Sequence, residues 1–99
     1  PAALLVRAIQ PTEGIDRIAA NRQGRPPASW TDGPAKLCQA LQIDGWLNGL
    51  DLCGSQNLLF VEEGLPVSDD RVTNGPRVGL YTVPEPWKSI PWRFRVNSL

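Results

Sequence analysis

Lys36 and Arg7 are the two cations whose settings in this chain could do chemistry. Lys36 follows Gly33-Pro34-Ala35 at the head of a run with helical spacing. A helix start offers unpaired backbone N–H groups and the positive end of the dipole, so Gly33 with Lys36 beside it could seat a phosphate. A capped surface helix with a solvated lysine is the other reading of the same residues. Arg7 interrupts the apolar run Ala2–Ile9. A guanidinium emerging from such a strand must be paired or face a wet cavity, and a rim salt bridge to Glu13 would satisfy it. The carboxylates are less suggestive. Glu62 and Glu63 are adjacent, so on a strand they point to opposite sides, which disfavours a paired acid and base. Asp69-Asp70 lacks the further oxygen ligands that a cation site needs.

Several chemistries are excluded outright. The chain has no histidine and two cysteines, which removes His-based triads, most zinc sites and any Cys-only metal site. Neither a Gly-x-x-x-x-Gly-Lys loop nor a Gly-x-Gly-x-x-Gly turn occurs, so no metal and no cofactor is expected.

The elements that must position Lys36 and Arg7 are short. Ala2 to Ile9 is β-compatible and bounded by Pro11. Thr12 is the expected N-cap of a helix reaching Ala20, with Glu13 and Asp16 favouring its dipole and Ile15, Ile18 and Ala19 as its apolar stripe. Residues 21–29, with Arg22, Gly24, Arg25, Pro26 and Pro27, form a loop. Trp30 then anchors the entry to the central helix. Asp32 or Gly33 is its N-cap, Pro34 suits the first turn, and Leu37, Cys38 and Leu41 share a face that Ile43 closes. Residues 44–54 are irregular. Leu58–Glu63 reads as a strand, residues 66–76 as a polar loop, Arg77–Leu80 as sheet, and Trp92–Val96 as a half-exposed strand. Trp87 and Trp92 read as core or staple residues.

The bulk properties fit one domain with a modest core. Basic and acidic residues balance at ten each, but residues 71–99 hold five basic groups against Glu85 alone. That third could face phosphates, or be a solvated edge. Cys38, on the apolar helix face, reads as a buried small hydrophobe rather than a disulfide partner. With no signal peptide and no long apolar span, the expectation is a soluble intracellular protein.

Three ordered stretches carry a family resemblance. Gly33-Pro-Ala-Lys-Leu-Cys-Gln-Ala-Leu41 resembles the Gly-Pro-x-Lys-Leu-Cys-Gln-Ala-Leu signature of the alkyladenine (3-methyladenine, methylpurine) DNA glycosylases. Ala3–Gly14 resembles the family's strand ending in Arg-Ala-x-x-Pro-x-x-Gly. Arg77-Val-Gly-Leu80 with Pro91-Trp-Arg-Phe94 resembles its Arg-x-Gly segment and closing strand. Tyr81 departs from relatives in which a second glycine can stand there.

The resemblance implies a mixed α/β (α+β) fold, with two short helices packed on a curved, mainly antiparallel sheet, within a larger single-domain glycosylase. Residues 1–99 would be its C-terminal portion, an expectation that the opening in mid-strand without an initiator methionine supports. It implies release of damaged purines from double-stranded DNA after base flipping, with water as nucleophile. Arg7 and the Val78 carbonyl would hold that water, while Gly33, Lys36 and Gly79 would contact DNA. The general-base glutamate, the walls of the base pocket and the intercalating tyrosine would lie upstream, so the isolated chain is expected to be inactive. No membrane, no metal and a monomeric full-length enzyme complete the expectation, with a cytoplasmic or nucleoid location (nuclear in a eukaryote). A non-catalytic nucleic-acid-binding domain of the same fold is the alternative. Similarity to the formyltransferase C-terminal fold would be analogy alone.

Overall fold

The computed structural model describes residues 2–97; Pro1, Ser98 and Leu99 lie outside it. The chain divides into two compact units, the first running through Val61 and the second beginning at Glu62. The first holds α1 (Ile15–Asn21), α2 (Pro34–Leu41) and single 3-10 turns at Pro27–Ser29 and Gly45–Leu47; the second holds a 3-10 turn at Asp69–Arg71, β1 (Val72–Gly75) and β2 (Arg93–Val96). An α+β composition with two short helices and an antiparallel sheet is therefore what the sequence folds into. The sheet has two strands among the described residues, and the helices pack on each other.

Helix α2 starts as its sequence dictates. Gly33 is the N-cap in extended conformation and Pro34 occupies the first turn, where its missing N–H costs nothing. The helix stops at Gln42, whose φ of 57° is left-handed, and whose N–H reaches the Cys38 and Gln39 carbonyls. Ile43 N–H adds a bond to Cys38 O at 2.8 Å, so carbonyls left over at the helix end are satisfied. The buried face is Leu37 and Ala40, with Cys38 half-buried and Leu41 exposed. This corrects the expected Leu37–Cys38–Leu41 stripe. The cause is α1, which is stitched to α2 on the Gln39–Ala40 side: Asn21 Nδ2 donates to Ala40 O at 2.8 Å.

Helix α1 begins later than expected. Its N-cap is Gly14, at φ 68° and without a side-chain cap, rather than Thr12. Only glycine takes that left-handed turn without steric cost, and a hydroxyl two residues upstream of the cap cannot reach the first-turn N–H groups. Ile18 is the buried member of its stripe, Ala19 is half-buried and Ile15 is exposed. Ile18, Leu37 and Ala40 are the buried apolar residues among those described, joined by the buried polar residues Arg22 and Thr31. Trp30 is half-buried and donates its indole N–H to Arg25 O at 3.0 Å.

The strands depart most from expectation. Ala2–Ile9 is not a strand, nor is Leu58–Glu63. A strand exists through its ladder, and these segments have none among the described residues: Ile9 N–H bonds to Thr31 O at 3.2 Å, and Val61 N–H to Leu52 O at 2.7 Å. Conversely, the expected loop at 66–76 contains β1. It pairs antiparallel with β2 in the register Val72↔Val96, Thr73↔Arg95, Asn74↔Phe94 and Gly75↔Arg93. Asn97 N–H to Arg71 O at 2.9 Å and a Thr73–Asn97 side-chain bond at 3.2 Å close one end. Residues 78–79, expected within sheet, form a turn.

Candidate functional site

The entrance to α2 is built on the Gly33 cap. The aliphatic stem of Lys36 folds back against Gly33, so that a Cβ on Gly33 would lie 3.7 Å from Lys36 Cδ, an ordinary contact. The ammonium then reaches Asp32, Nζ to Oδ1 at 2.9 Å. No side chain caps the helix, and the anion nearest its positive end in sequence is Asp32 itself. The hydrogen bond from Lys36 holds the Asp32 carboxyl below the usual carboxylate range. Lys36 is thus neither solvated alone nor an uncompensated cation. A phosphate arriving here would meet the helix start and Lys36, and would displace or repel Asp32.

The same end of the first unit ties down the segment that carries Arg7. Thr31, buried one residue before Asp32, donates its hydroxyl to Ile9 O at 2.8 Å and receives Ile9 N–H on its carbonyl. Two bonds between the same pair of residues clasp the apolar segment beside the α2 entrance. Arg7 is half-buried and forms no ion pair among the described residues. The expected rim bridge to Glu13 is absent among them, which leaves the guanidinium's donors for another acceptor.

Val78 and Gly79 lie in the second unit. Gly79 has φ 84°, a conformation that disfavours any side chain there, and Val78 is half exposed. Together with Arg77, Leu80, Tyr81 and Lys88 they line an open hollow of about 400 Å³. Arg77 stacks over Trp92, 5.7 Å from the ring centroid, and Trp92 meets Trp87 at 5.8 Å with the planes tilted by 44°. Trp87 and Trp92 are half exposed rather than core. Of the expected site residues, then, Gly33 and Lys36 come together, Arg7 belongs to their unit, and Val78 and Gly79 form a separate turn. Among the described residues no three His, Cys, Asp or Glu side chains gather as metal ligands, and no helix is long and apolar enough to cross a membrane.

Arg22 is the functional-looking residue that the sequence reading passed over as loop. It is 7% exposed. It donates to the Gln39 side chain and, through Nη2, to Ser29 O at 3.1 Å, while its Nε is buried without a partner. Its position just past α1, opposite the polar Gln39 of α2, makes it a brace between the helices. Nothing in the local sequence, which reads as loop from residue 21 onward, signals this.

The sequence matches the family described as "Methylpurine-DNA glycosylase" over residues 1–98. Among curated proteins it is 39% identical over 96 residues to a "Putative 3-methyladenine DNA glycosylase" of Carboxydothermus hydrogenoformans, covering 97% of this chain and 48% of that one. Proteins of the same name from Desulfitobacterium hafniense (43% over 106 residues, 99% and 50%) and Bacillus subtilis (36% over 98 residues, 99% and 47%) are similar along the same proportion. The chain spans about half the length of the curated relatives it matches.

Proposed function

The chain belongs to the methylpurine-DNA glycosylase family, and on that premise we propose that it supplies the water-positioning and backbone-gripping part of an enzyme that excises alkylated or deaminated purines from double-stranded DNA. The residues are the C-terminal portion of the catalytic domain. The single observation that carries this reading is the match running through residues 1–98, which takes in Arg7, the Gly33–Lys36 helix start and the Val78-Gly79 turn.

The target bond is out of reach while the purine is stacked, so the nucleotide is first rotated out of the duplex. Lys36 and the α2 N-terminus hold a backbone phosphate, and the Gly79 turn admits the chain of the flipped nucleotide closely. Water attacks the sugar carbon, the glycosidic bond breaks with its electrons leaving on the purine, and the water proton passes to a carboxylate outside this chain. Arg7 donates to the attacking water and the Val78 carbonyl accepts from it. The two together orient the nucleophile without generating it. An unpaired, half-buried Arg7 suits that duty, since its guanidinium is not held against Glu13 and can turn its donors toward the water. The reaction is monofunctional hydrolysis, with water rather than a lysine amine as nucleophile; the chain's lysines are Lys36 and Lys88 alone. By itself the 99-residue chain releases no base. The enzyme works as a monomer on the cell's DNA, in the cytoplasm or nucleoid.

Incubating a duplex that contains hypoxanthine or ethenoadenine with the complete protein tests this, scored by strand cleavage at abasic sites after alkali. Abasic sites at the damaged purine are expected. Binding of the duplex without any abasic site would refute the glycosylase reading and leave a non-catalytic DNA-binding domain.

A further inference from the structure

We propose that one face of the β1–β2 ribbon is a second seat for the DNA backbone, in which Arg93 and Arg95 hold two successive phosphates of one strand. The proposal rests on the reading above that the partner is DNA, and it concerns residues outside both the α2 entrance and the Val78-Gly79 turn.

The register sorts the ribbon into two unlike faces. Residues directly opposite in an antiparallel pair point to the same side, and neighbours along a strand to opposite sides. The pairing therefore places Thr73, Gly75, Arg93 and Arg95 on one face, and Val72, Asn74, Phe94 and Val96 on the other. The second is a face that a core can cover. The first is not, because two guanidiniums taken out of water without anions to meet them are strongly unfavourable. Its openness follows from its charge, and is the same whatever packs on the apolar face.

The two cations have no anion of their own. Neither Arg93 nor Arg95 forms an ion pair among the described residues. Glu85, the one acid within residues 71–99, already accepts from the Ser89 N–H at 3.2 Å and from its hydroxyl at 2.5 Å. Alternate residues of a strand lie roughly 6.5–7 Å apart, comparable with neighbouring phosphates along one DNA strand, so each guanidinium can meet one. Across from Arg93 stands Gly75, where an added Cβ would meet nothing within 4 Å, so a phosphate can come close to the backbone there. Across from Arg95, Thr73 donates to Asn97 Oδ1 at 3.2 Å, which leaves the Asn97 amide donors uncommitted among the described residues. Asp69 and Asp70, just ahead of β1, repel phosphate and so bound the seat at that end.

Continuity selects the occupant. β2 begins one residue after Trp92, whose ring carries the Arg77 guanidinium at 5.7 Å, and Arg77 adjoins Val78-Gly79. The row of cations thus runs on from the turn that admits the flipped nucleotide in the reading above. An anion repeated at fixed spacing fits such a row, where a single free phosphate would use one arginine.

The test measures binding of the complete protein to a labelled undamaged duplex by fluorescence anisotropy at four salt concentrations, with urea midpoints to check folding. Arg93→Gln with Arg95→Gln should flatten the slope of log affinity against log salt by about 1.8, two phosphate contacts. The matching pair of Arg→Lys changes should keep the slope, which depends on charge. Thr73→Glu keeps both arginines and sets a carboxylate opposite Arg95; it should flatten the slope by about 0.9. Because a cross-strand pair of opposite charges favours the ribbon, this variant decides the matter if the glutamine pair fails to fold. Arg17→Gln, which removes an exposed cation of α1, should leave the slope as it is. The proposal is overturned by an unchanged slope in Thr73→Glu or in a folded glutamine pair, by an equal fall in Arg17→Gln, or by a loss that the lysine pair does not restore. Abasic-site formation by the wild type on a hypoxanthine duplex is scored alongside. The expected slopes without abasic sites refute the glycosylase reading and leave the seat standing; abasic sites with unchanged slopes do the reverse.

Discussion

Replacing Asp32 by Asn should strengthen DNA binding if Lys36 holds a backbone phosphate as proposed, because Asp32, paired with that lysine, lies close enough to repel it. The structure supplies the terms. Nζ of Lys36 lies 2.9 Å from Oδ1 of Asp32, so a phosphate oxygen on the far side of the ammonium would sit roughly 6 Å from the carboxylate, by ordinary hydrogen-bond lengths. In water, like charges at about that distance repel by enough to weaken binding roughly threefold at low salt, and salt screens the effect. Asp32→Asn should thus gain about threefold in affinity at low ionic strength, and the gain should fade as salt rises. Lys36→Ala should lose affinity and flatten the log affinity against log salt slope by about 0.9, one phosphate contact.

The assay is fluorescence anisotropy of a labelled duplex at four salt concentrations, with both single variants and the double. In the double variant the gain from Asp32→Asn should persist, since that repulsion acts on the phosphate directly and not through Lys36. The pH dependence has a fixed sign. The Lys36 hydrogen bond holds the Asp32 carboxyl below the usual range, so the pair is intact at neutral pH and is lost only as pH falls through that lowered value. Wild type and Asp32→Asn should differ by the same factor from pH 7 down to the ordinary carboxylate range. An unchanged slope in Lys36→Ala would refute the phosphate seat and leave the pair as a surface feature of α2.

Leu37→Ala removes the largest buried side chain of α2, 7% exposed, and should cost about 2–4 kcal/mol, read as a lower urea midpoint. Gly79→Ala meets no neighbouring atom within 4 Å but must hold φ 84°; the strain alone should cost about 1–2 kcal/mol, seen as a lower Tm. In the complete enzyme Arg7→Ala should slow base release more than it weakens binding to damaged DNA, in single-turnover and anisotropy measurements respectively. Equal losses would mark Arg7 as a DNA contact or a structural residue.

What could be read in advance was whatever is decided within a few residues. Gly33-Pro34 fixes the start of α2 because a proline without an N–H and a residue able to take extended backbone suit those two positions alone. The strand expected at Trp92–Val96 likewise survives as β2, although its burial does not alternate, since Arg93 is its half-buried residue and Phe94 and Val96 are exposed. Thr12 misled because a good capping side chain says nothing about where the chain turns, and Gly14, with its left-handed φ, decides that. Ala2–Ile9 and Leu58–Glu63 have the composition of strands, but composition states a preference and the ladder makes the element. Val72-Thr-Asn-Gly75 has the composition of a loop, and is a strand because β2 pairs with it. Strand pairing is set by distant residues, which is why whole strands were gained and lost while the helices shifted only at an end or on a face.

The site divides along the same line. The residue types at the α2 entrance were legible, but the Asp32 partner that sets the charge of that entrance depends on a lysine rotamer, and Arg22 was invisible because a loop arginine becomes a brace only when Gln39 and Ser29 converge on it. A buried guanidinium with an unsatisfied Nε is tolerable only because its other nitrogens are bonded. With Ile18, Leu37 and Ala40 as the buried apolar residues of those described, that polar brace carries a share of the helix packing that a larger domain would leave to leucines. The exposed Leu4, Leu58 and Leu65 are the counterpart of the thin core. Those exposed side chains add little burial to offset the ordering of the chain, so the Arg22 brace and the Thr31–Ile9 clasp matter the more to the packing of the first unit.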